Sequence, residues 1–243
     1  MLYLCPLILG ACVTVWFNIA RVRKIGVMAL LLKASSSVLF ILTAIACTYK
    51  AVTTDPASLP YALLLIAGLA FGMLGDIWLD LKFVYPPDNV PFTYGGFISF
   101  AIGHLFFIAA IVQSTGLFRH IGYLLVPLAI ALVFAVGVQI VQKPMGMVYG
   151  SYAAIVSIYT FILVTTTFLA GAAALYGLRH AEAGWNNTRY IVLFVGGVFF
   201  LISDLILSGT YFGEGKDRPV DIVTNHMTYY IAQYLIALSI AFV

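Results

Sequence analysis

Two aspartates four residues apart stand inside one of the most apolar stretches of the chain. GMLGDIWLDL, residues 72–81, carries Asp76 and Asp80, and a third aspartate, Asp204, follows Ser203 in VFFLISDLIL. Lys33 in LLLKASSS, His104 in AIGHLFF, and His226, Tyr229, Tyr230 and Gln233 in HMTYYIAQ sit in comparable settings. A charged group in hydrocarbon is costly, so an ionisable residue inside a membrane span marks a functional site by default. Two buried carboxyls suggest acid/base hydrolysis. A carboxyl in apolar surroundings can keep its proton near neutral pH, while one beside a cation such as Lys33 stays ionised. Such a pair divides into acid and base, able to protonate a substrate and activate a water without a covalent intermediate.

The elements that must position these groups are membrane helices. The 243 residues are 63% hydrophobic and 9% charged, with mean hydropathy +1.07, whereas a soluble domain is roughly a quarter charged. Eight apolar segments, about 2–20, 25–49, 60–84, 94–113, 120–141, 147–176, 189–212 and 221–243, are separated by breakers such as TTDPASLP, YPPDNVP and GEGKDRP. Runs this long in lipid are helices. The expected fold is therefore all-α, a single transmembrane domain over 1–243 built as a bundle of eight helices. The basic cluster Arg21, Arg23, Lys24 follows the first apolar run, which suits a retained span better than a cleaved leader. Net charge is +3 with no basic run, so no nucleic-acid partner is expected. Cys5, Cys12 and Cys47 have no metal-binding or redox spacing, and Cys5 and Cys12 are expected as buried small apolar residues. Loops one, three, five and seven hold Arg21, Arg23, Lys24, Lys82, Lys143, Lys216 and Arg218; the other side holds Lys50, Arg119, Arg179 and Arg189. Odd loops are thus expected in the cytoplasm and both termini outside. Asn186-Asn187-Thr188 is formally a glycosylation sequon, but it abuts the seventh span and is read as a chance match.

Depth brings the polar residues together. Lys33, Asp76, His104, Asp204 and the His226–Gln233 group lie on five spans, each roughly 8–18 Å below the odd-loop surface at 1.5 Å rise per residue. Asp76 and Asp80 share a helical face with Gly68, Gly72 and Gly75, a small-residue surface for close helix approach. His226, Tyr230 and Gln233 share a stripe with Tyr229 at its edge, and Gly197 shares a face with Asp204. A polar cavity between helices fits this pattern. Blander readings exist: Asp80 and His226 as interfacial residues, Lys33 snorkelling to the surface, Tyr229 and Tyr230 in an aromatic belt. Asp76 and Asp204 are too short to snorkel far.

Several chemistries compete for such a cluster. An intramembrane aspartyl protease would need GxGD and Tyr-Asp motifs, where this chain has Met73-Leu74-Gly75-Asp76 and Ser203-Asp204. A zinc site has only His104 and His226 within spans to join Asp76 and Asp204, and a serine nucleophile lacks its GxSxG context. A proton-coupled transporter or lipid-binding protein would use the same residues, though no inverted repeat is evident. The residues by themselves leave hydrolase and transporter both open.

The same residues resemble a known family, the YhhN-type lysoplasmalogenases. Gly196 through Asp204 looks like that family's Gly-Ala-x-x-Phe-x-x-Ser-Asp stretch, and Thr228-Tyr229-Tyr230-Ile231-Ala232-Gln233-Tyr234-Leu235 resembles its Thr-Tyr-Tyr-x-x-Gln-x-Leu. Gly75-Asp76 with Leu79, Gly96 through Phe100 to His104, Tyr152 with Ile155, and the span-two Lys33 are similar to further elements in the same order. Departures are Phe107, where a tyrosine often follows the histidine, and Lys33-Ala34-Ser35, without the usual proline-containing continuation; Asp80 and His226 match no family motif. The resemblance implies an eight-helix membrane enzyme that hydrolyses the vinyl ether bond of lysoplasmalogen, a lysophospholipid held in membrane lipid. The products are a fatty aldehyde and glycerophospho-ethanolamine or -choline. No cofactor or metal is implied. Asp76 and Asp204 would be catalytic; Lys33, His104, Tyr152, Tyr229, Tyr230 and Gln233 would bind or orient substrate; Asp80, Ser203 and His226 are secondary candidates. The location implied is the endoplasmic reticulum membrane in a eukaryote and the inner membrane in a bacterium. Headgroup preference and oligomeric state are left open.

Overall fold

The structure, a computed structural model, describes residues 2–85, 89–180, 186–214 and 218–242. Lys216, one of the loop-seven cations, and Val243, the end of the expected last span, lie outside the described residues. Eight α-helices follow in chain order: α1 (Leu4–Val22), α2 (Gly26–Thr54), α3 (Leu59–Val84), α4 (Asn89–Thr115), α5 (Ile121–Val141), α6 (Ala153–His180), α7 (Asn187–Phe212) and α8 (Pro219–Ser239). The described residues contain no strand, only an isolated bridge between Met147 and Gly213. Helix is what the bilayer demands, because it satisfies every backbone polar group within the segment.

Polar and special residues set the boundaries. Asp55 Oδ1 accepts from the Ala57 amide at 3.0 Å and starts a short turn ahead of α3. Asn186 Oδ1 accepts from the Thr188 amide at 3.1 Å and caps α7, so the sequon asparagine is spent on holding the helix end. Pro219 opens α8, where a missing amide hydrogen costs nothing. Between α5 and α6 the chain turns through Gly146 at φ +67° and Gly150 at φ +53°, a conformation natural to glycine. The expected span over 147–176 is shortened by that turn, and α6 begins only at Ala153.

The helix neighbours run α1–α2–α3–α4–α6–α7–α8, and α8 returns to α1, α2 and α3; α5 lies outside, against α6. Close approach of α3 and α4 depends on glycine. A Cβ at Gly68 would strike the Phe107 ring and stand 2.8 Å from the Gly103 carbonyl oxygen. Among the described residues seven helices are long and apolar enough to cross a membrane; α8 is the exception by composition. It carries Asn225 and Gln233, both buried, so its polarity is turned into the protein rather than toward lipid. One expectation is corrected here. Cys5 and Cys12 are exposed and only Cys47 is buried, because α1 is a peripheral helix that packs through Gly10, Thr14, Phe17, Asn18 and Arg21. The two cysteines fall on its outward side.

Candidate active site

The centre of the bundle holds four paired charges. Lys33 on α2 places Nζ 3.3 Å from Asp76 Oδ1 and 3.2 Å from Asp80 Oδ1. Arg21, from the last turn of α1, is ion-paired with Asp80 Oδ2. The two cations and two carboxylates balance, and all four are nearly inaccessible: Asp76 is 1% exposed, Asp80 2%, Lys33 5% and Arg21 7%. Desolvated charges are tolerated when each is paired and its remaining lone pairs are bonded. Asp76 meets that condition fully. Ser37 Oγ and the Tyr229 hydroxyl each donate to its Oδ2 at 2.7 Å, and Gln233 Nε2 donates to that Tyr229 hydroxyl at 2.8 Å. Each group bonded to Asp76 is a donor, the surroundings of an anion that accepts.

Asp204 is differently placed. It is only partly buried. The Tyr159 hydroxyl on α6 donates to its Oδ2 at 2.5 Å, and among the described residues no cation pairs with it. Next to it, Asn225 Nδ2 donates to the backbone oxygen of Ser203 at 2.7 Å and to its Oγ at 3.1 Å, locking α8 onto α7.

Two cavities meet at Asp204. One, of about 730 Å³, is lined by Arg21, Lys24, Lys33, Asp76, Asp80, Lys82, Ser203, Asp204, His226 and Tyr229 among others. The second, of about 250 Å³, is mostly apolar, walled by residues such as Phe97, Phe134, Val138, Val156, Leu163 and Leu201, with Tyr159, Thr160, Asp204 and Ser208 among its few polar members. Leu79, Phe100, Asp204, Leu207 and Tyr211 belong to both linings. A carboxyl thus stands where an ionic chamber passes into a greasy one.

Of the residues singled out from sequence, Lys33, Asp76, Asp80, Ser203, Asp204, His226 and Tyr229 line the polar cavity. Gln233 reaches Asp76 through Tyr229. The expected stripe on α8 splits into two faces. Tyr229 points at Asp76, while the Tyr230 hydroxyl donates to the Lys33 backbone oxygen at 3.2 Å and His226 packs edge-on to Phe17 at 4.6 Å. His104 is buried among aromatic rings, 4.7 Å from the Phe200 centroid and 5.4 Å from that of Phe107, and its ring nitrogens have no hydrogen-bond partner. It supports Tyr159 from behind, at 6.2 Å between ring centroids. Tyr152 stands apart, in the turn before α6, tilted against Tyr94 with ring centroids 5.0 Å apart. Its place near Asp204 is taken by Tyr159, seven residues on. Among the described residues no three His, Cys, Asp or Glu side chains gather as metal ligands.

Four participants escaped the sequence reading. Ser37 was detectable, being one helical turn from Lys33 and on its face. Tyr159 shares the face of Tyr152 two turns deeper. Arg21 reads as a loop cation until α1 is seen to continue to Val22. Asn225 gives no signal beyond polarity in a membrane helix.

Fold and site together define a polytopic α-helical membrane protein with a carboxylate-lined cavity inside the bundle. The model of the YhhN family matches residues 28–240, and the chain belongs to that family, which is the lysoplasmalogenase family. Family membership supports a hydrolase of lysoplasmalogenase type in general terms. No curated protein and no solved structure matches the chain.

Proposed function

We propose that this protein hydrolyses the vinyl ether bond of lysoplasmalogens within the membrane. The observation that carries this reading is Asp204, a carboxyl with no cationic partner among the described residues, at the junction of an ionic cavity and an apolar pocket. A single-chain ether lipid has that same division, a charged head joined to an apolar chain at the bond to be cut. Asp204 is the acid. Its proton passes to the β-carbon of the vinyl ether, leaving an oxocarbenium ion at the α-carbon. Asp76 is the carboxylate that faces this cation, its charge maintained by Lys33, Ser37 and Tyr229. Water adds to the α-carbon and gives up a proton to the carboxylate. The hemiacetal then collapses: its carbon–oxygen bond breaks as Asp76 returns its proton to the glycerol oxygen, and the hemiacetal hydroxyl gives its proton to Asp204, freeing the aldehyde and the glycerol hydroxyl and restoring both carboxyls. The division of labour parallels the two carboxyls of a glycosidase.

The test is aldehyde release from a lysoplasmalogen by purified Asp204→Asn and Asp76→Asn variants. Each is expected to lose about 10²- to 10⁴-fold in kcat, the usual contribution of general acid or base catalysis. Folded variants with near wild-type rates would falsify the paired-carboxyl mechanism. Binding of the lipid without product from the wild type would favour a lipid carrier using the same cavity, and loss of activity on chelation would favour a zinc-dependent hydrolase.

A further inference from the structure

Four cations line the polar cavity: Arg21, Lys24, Lys33 and Lys82. Two are committed, Arg21 to Asp80 and Lys33 to both Asp76 and Asp80. Lys33 therefore has no charge to spare for a substrate anion. Lys82 has no carboxylate at ion-pair distance among the described residues. Its Nζ instead lies over two aromatic rings, 2.9 Å from the Tyr211 centroid and 4.8 Å from that of Phe83. Ring faces hold the Lys82 amine in place without pairing it to an anion, so a bound phosphate would displace no carboxylate partner among the described residues. Lys82 also lines a second polar cavity of about 600 Å³ beside Thr93, Ser151 and Tyr152, which places it in the wall between two polar chambers. Lys24 stands on the rim of the first, exposed in the α1–α2 turn at φ +58°.

We propose that Lys82, with Lys24 at the rim, binds the phosphate of the lysophospholipid headgroup and sets how far the lipid reaches toward Asp204. The assignment rests on the lysoplasmalogenase reading. Two helices supply the same ruler. Lys82 follows Asp76 by six residues, about 9 Å along α3. Tyr211, on which the Lys82 ammonium sits, follows Asp204 by seven residues, two turns and roughly 10 Å along the same face of α7. In an alkenyl lysophospholipid about seven bonds separate phosphorus from the carbon to be protonated, roughly 9 Å when extended. A phosphate at Lys82 therefore sets that carbon at the level of the two aspartates, with the chain continuing into the apolar pocket. A lipid lacking the phosphate keeps its tail contacts and loses its register.

The experiment is equilibrium binding to the purified full chain, which needs no turnover and so reads this assignment even if aldehyde release fails. The probes are a non-hydrolysable 1-O-alkyl lysophospholipid, the 1-O-alkylglycerol of the same chain, and inorganic phosphate. Wild type is expected to hold the phospholipid about 10- to 100-fold more tightly than the alkylglycerol, the range of one charge-assisted contact. Lys82→Met abolishes that preference and Lys82→Arg keeps most of it. Lys82→Gln carries the same expectation as the methionine variant if the latter does not fold. A wild type without the preference overturns the assignment, as does a Lys82→Met protein that retains it or loses affinity equally for both lipids. Inorganic phosphate binding as strongly as the phospholipid would make this a free-phosphate site and overturn the headgroup assignment.

Discussion

Asp76 and Asp204 are the same side chain in two environments, and their neighbours are the basis for the different roles proposed for them. Asp76 is surrounded by an ammonium and two hydroxyl donors; Asp204 has one hydroxyl and an apolar wall. Tyr159 is the residue on which that second environment turns. Its hydroxyl fixes which oxygen of Asp204 faces the cavity, and its ring is wedged between His104 and Phe97, with centroids at 6.2 Å and 5.4 Å. Tyr159→Phe keeps the ring and removes the donor. Steady-state aldehyde release is expected to show kcat lower by about 10- to 100-fold, the range for one hydrogen bond to the carboxylate that forms as Asp204 gives up its proton, with KM nearly unchanged. A rise in KM at constant kcat would instead assign Tyr159 to substrate binding.

At the scale of elements, the charge network is also a clamp. Arg21 ends α1, Lys33 lies within α2, and Asp76 and Asp80 lie on α3, so the ion pairs tie three consecutive helices at one depth. In lipid, where apolar surface gains little from packing against apolar surface, such polar contacts and close packing hold helices together. Removing one member leaves the others desolvated and unpaired, a loss of about 3–5 kcal/mol in buried ion pairs. Asp80→Ala is therefore expected to lower the thermal midpoint sharply. The double variant Arg21→Met, Asp80→Leu recovers a large part of the loss, because Lys33 retains Asp76 at 3.3 Å. Thermal unfolding in detergent checks both; a double variant no better than Asp80→Ala would show that the clamp is not a charge pair in energetic terms. The depth of Asp80 was the least legible feature here. Its position near the end of an apolar run suits a headgroup-level residue, and only the approach of Arg21 and Lys33 from two other helices makes it an interior one.

Across the whole molecule, the polar cavity is bounded by residues from the α1–α2 turn and the ends of α3 and α7, which assigns it to the odd-loop side of the bundle. With the larger share of lysine and arginine there, the site is expected to face the cytoplasmic leaflet. Single cysteines in a Cys5→Ser, Cys12→Ser, Cys47→Ala background test this: Lys143→Cys should react with an impermeant thiol reagent only from the cytoplasm, and Arg119→Cys only from outside. The reverse pattern sinks the orientation. Hydropathy along the chain was enough to mark the helices, because spanning a bilayer is a condition that seven of them meet by their own composition, while α8 shows as a less apolar run whose Asn225 and Gln233 turn inward. Helical periodicity and residue rise likewise brought Lys33, Asp76 and Asp204 to one depth, since both quantities run along a single axis. What the chain could not reveal by itself was rotation about those axes. Whether Asp80 meets water or Arg21, whether Tyr152 or Tyr159 touches Asp204, and which α8 tyrosine faces Asp76 all depend on how neighbouring helices turn toward each other. Side chains from several helices settle that jointly, and only in the assembled bundle.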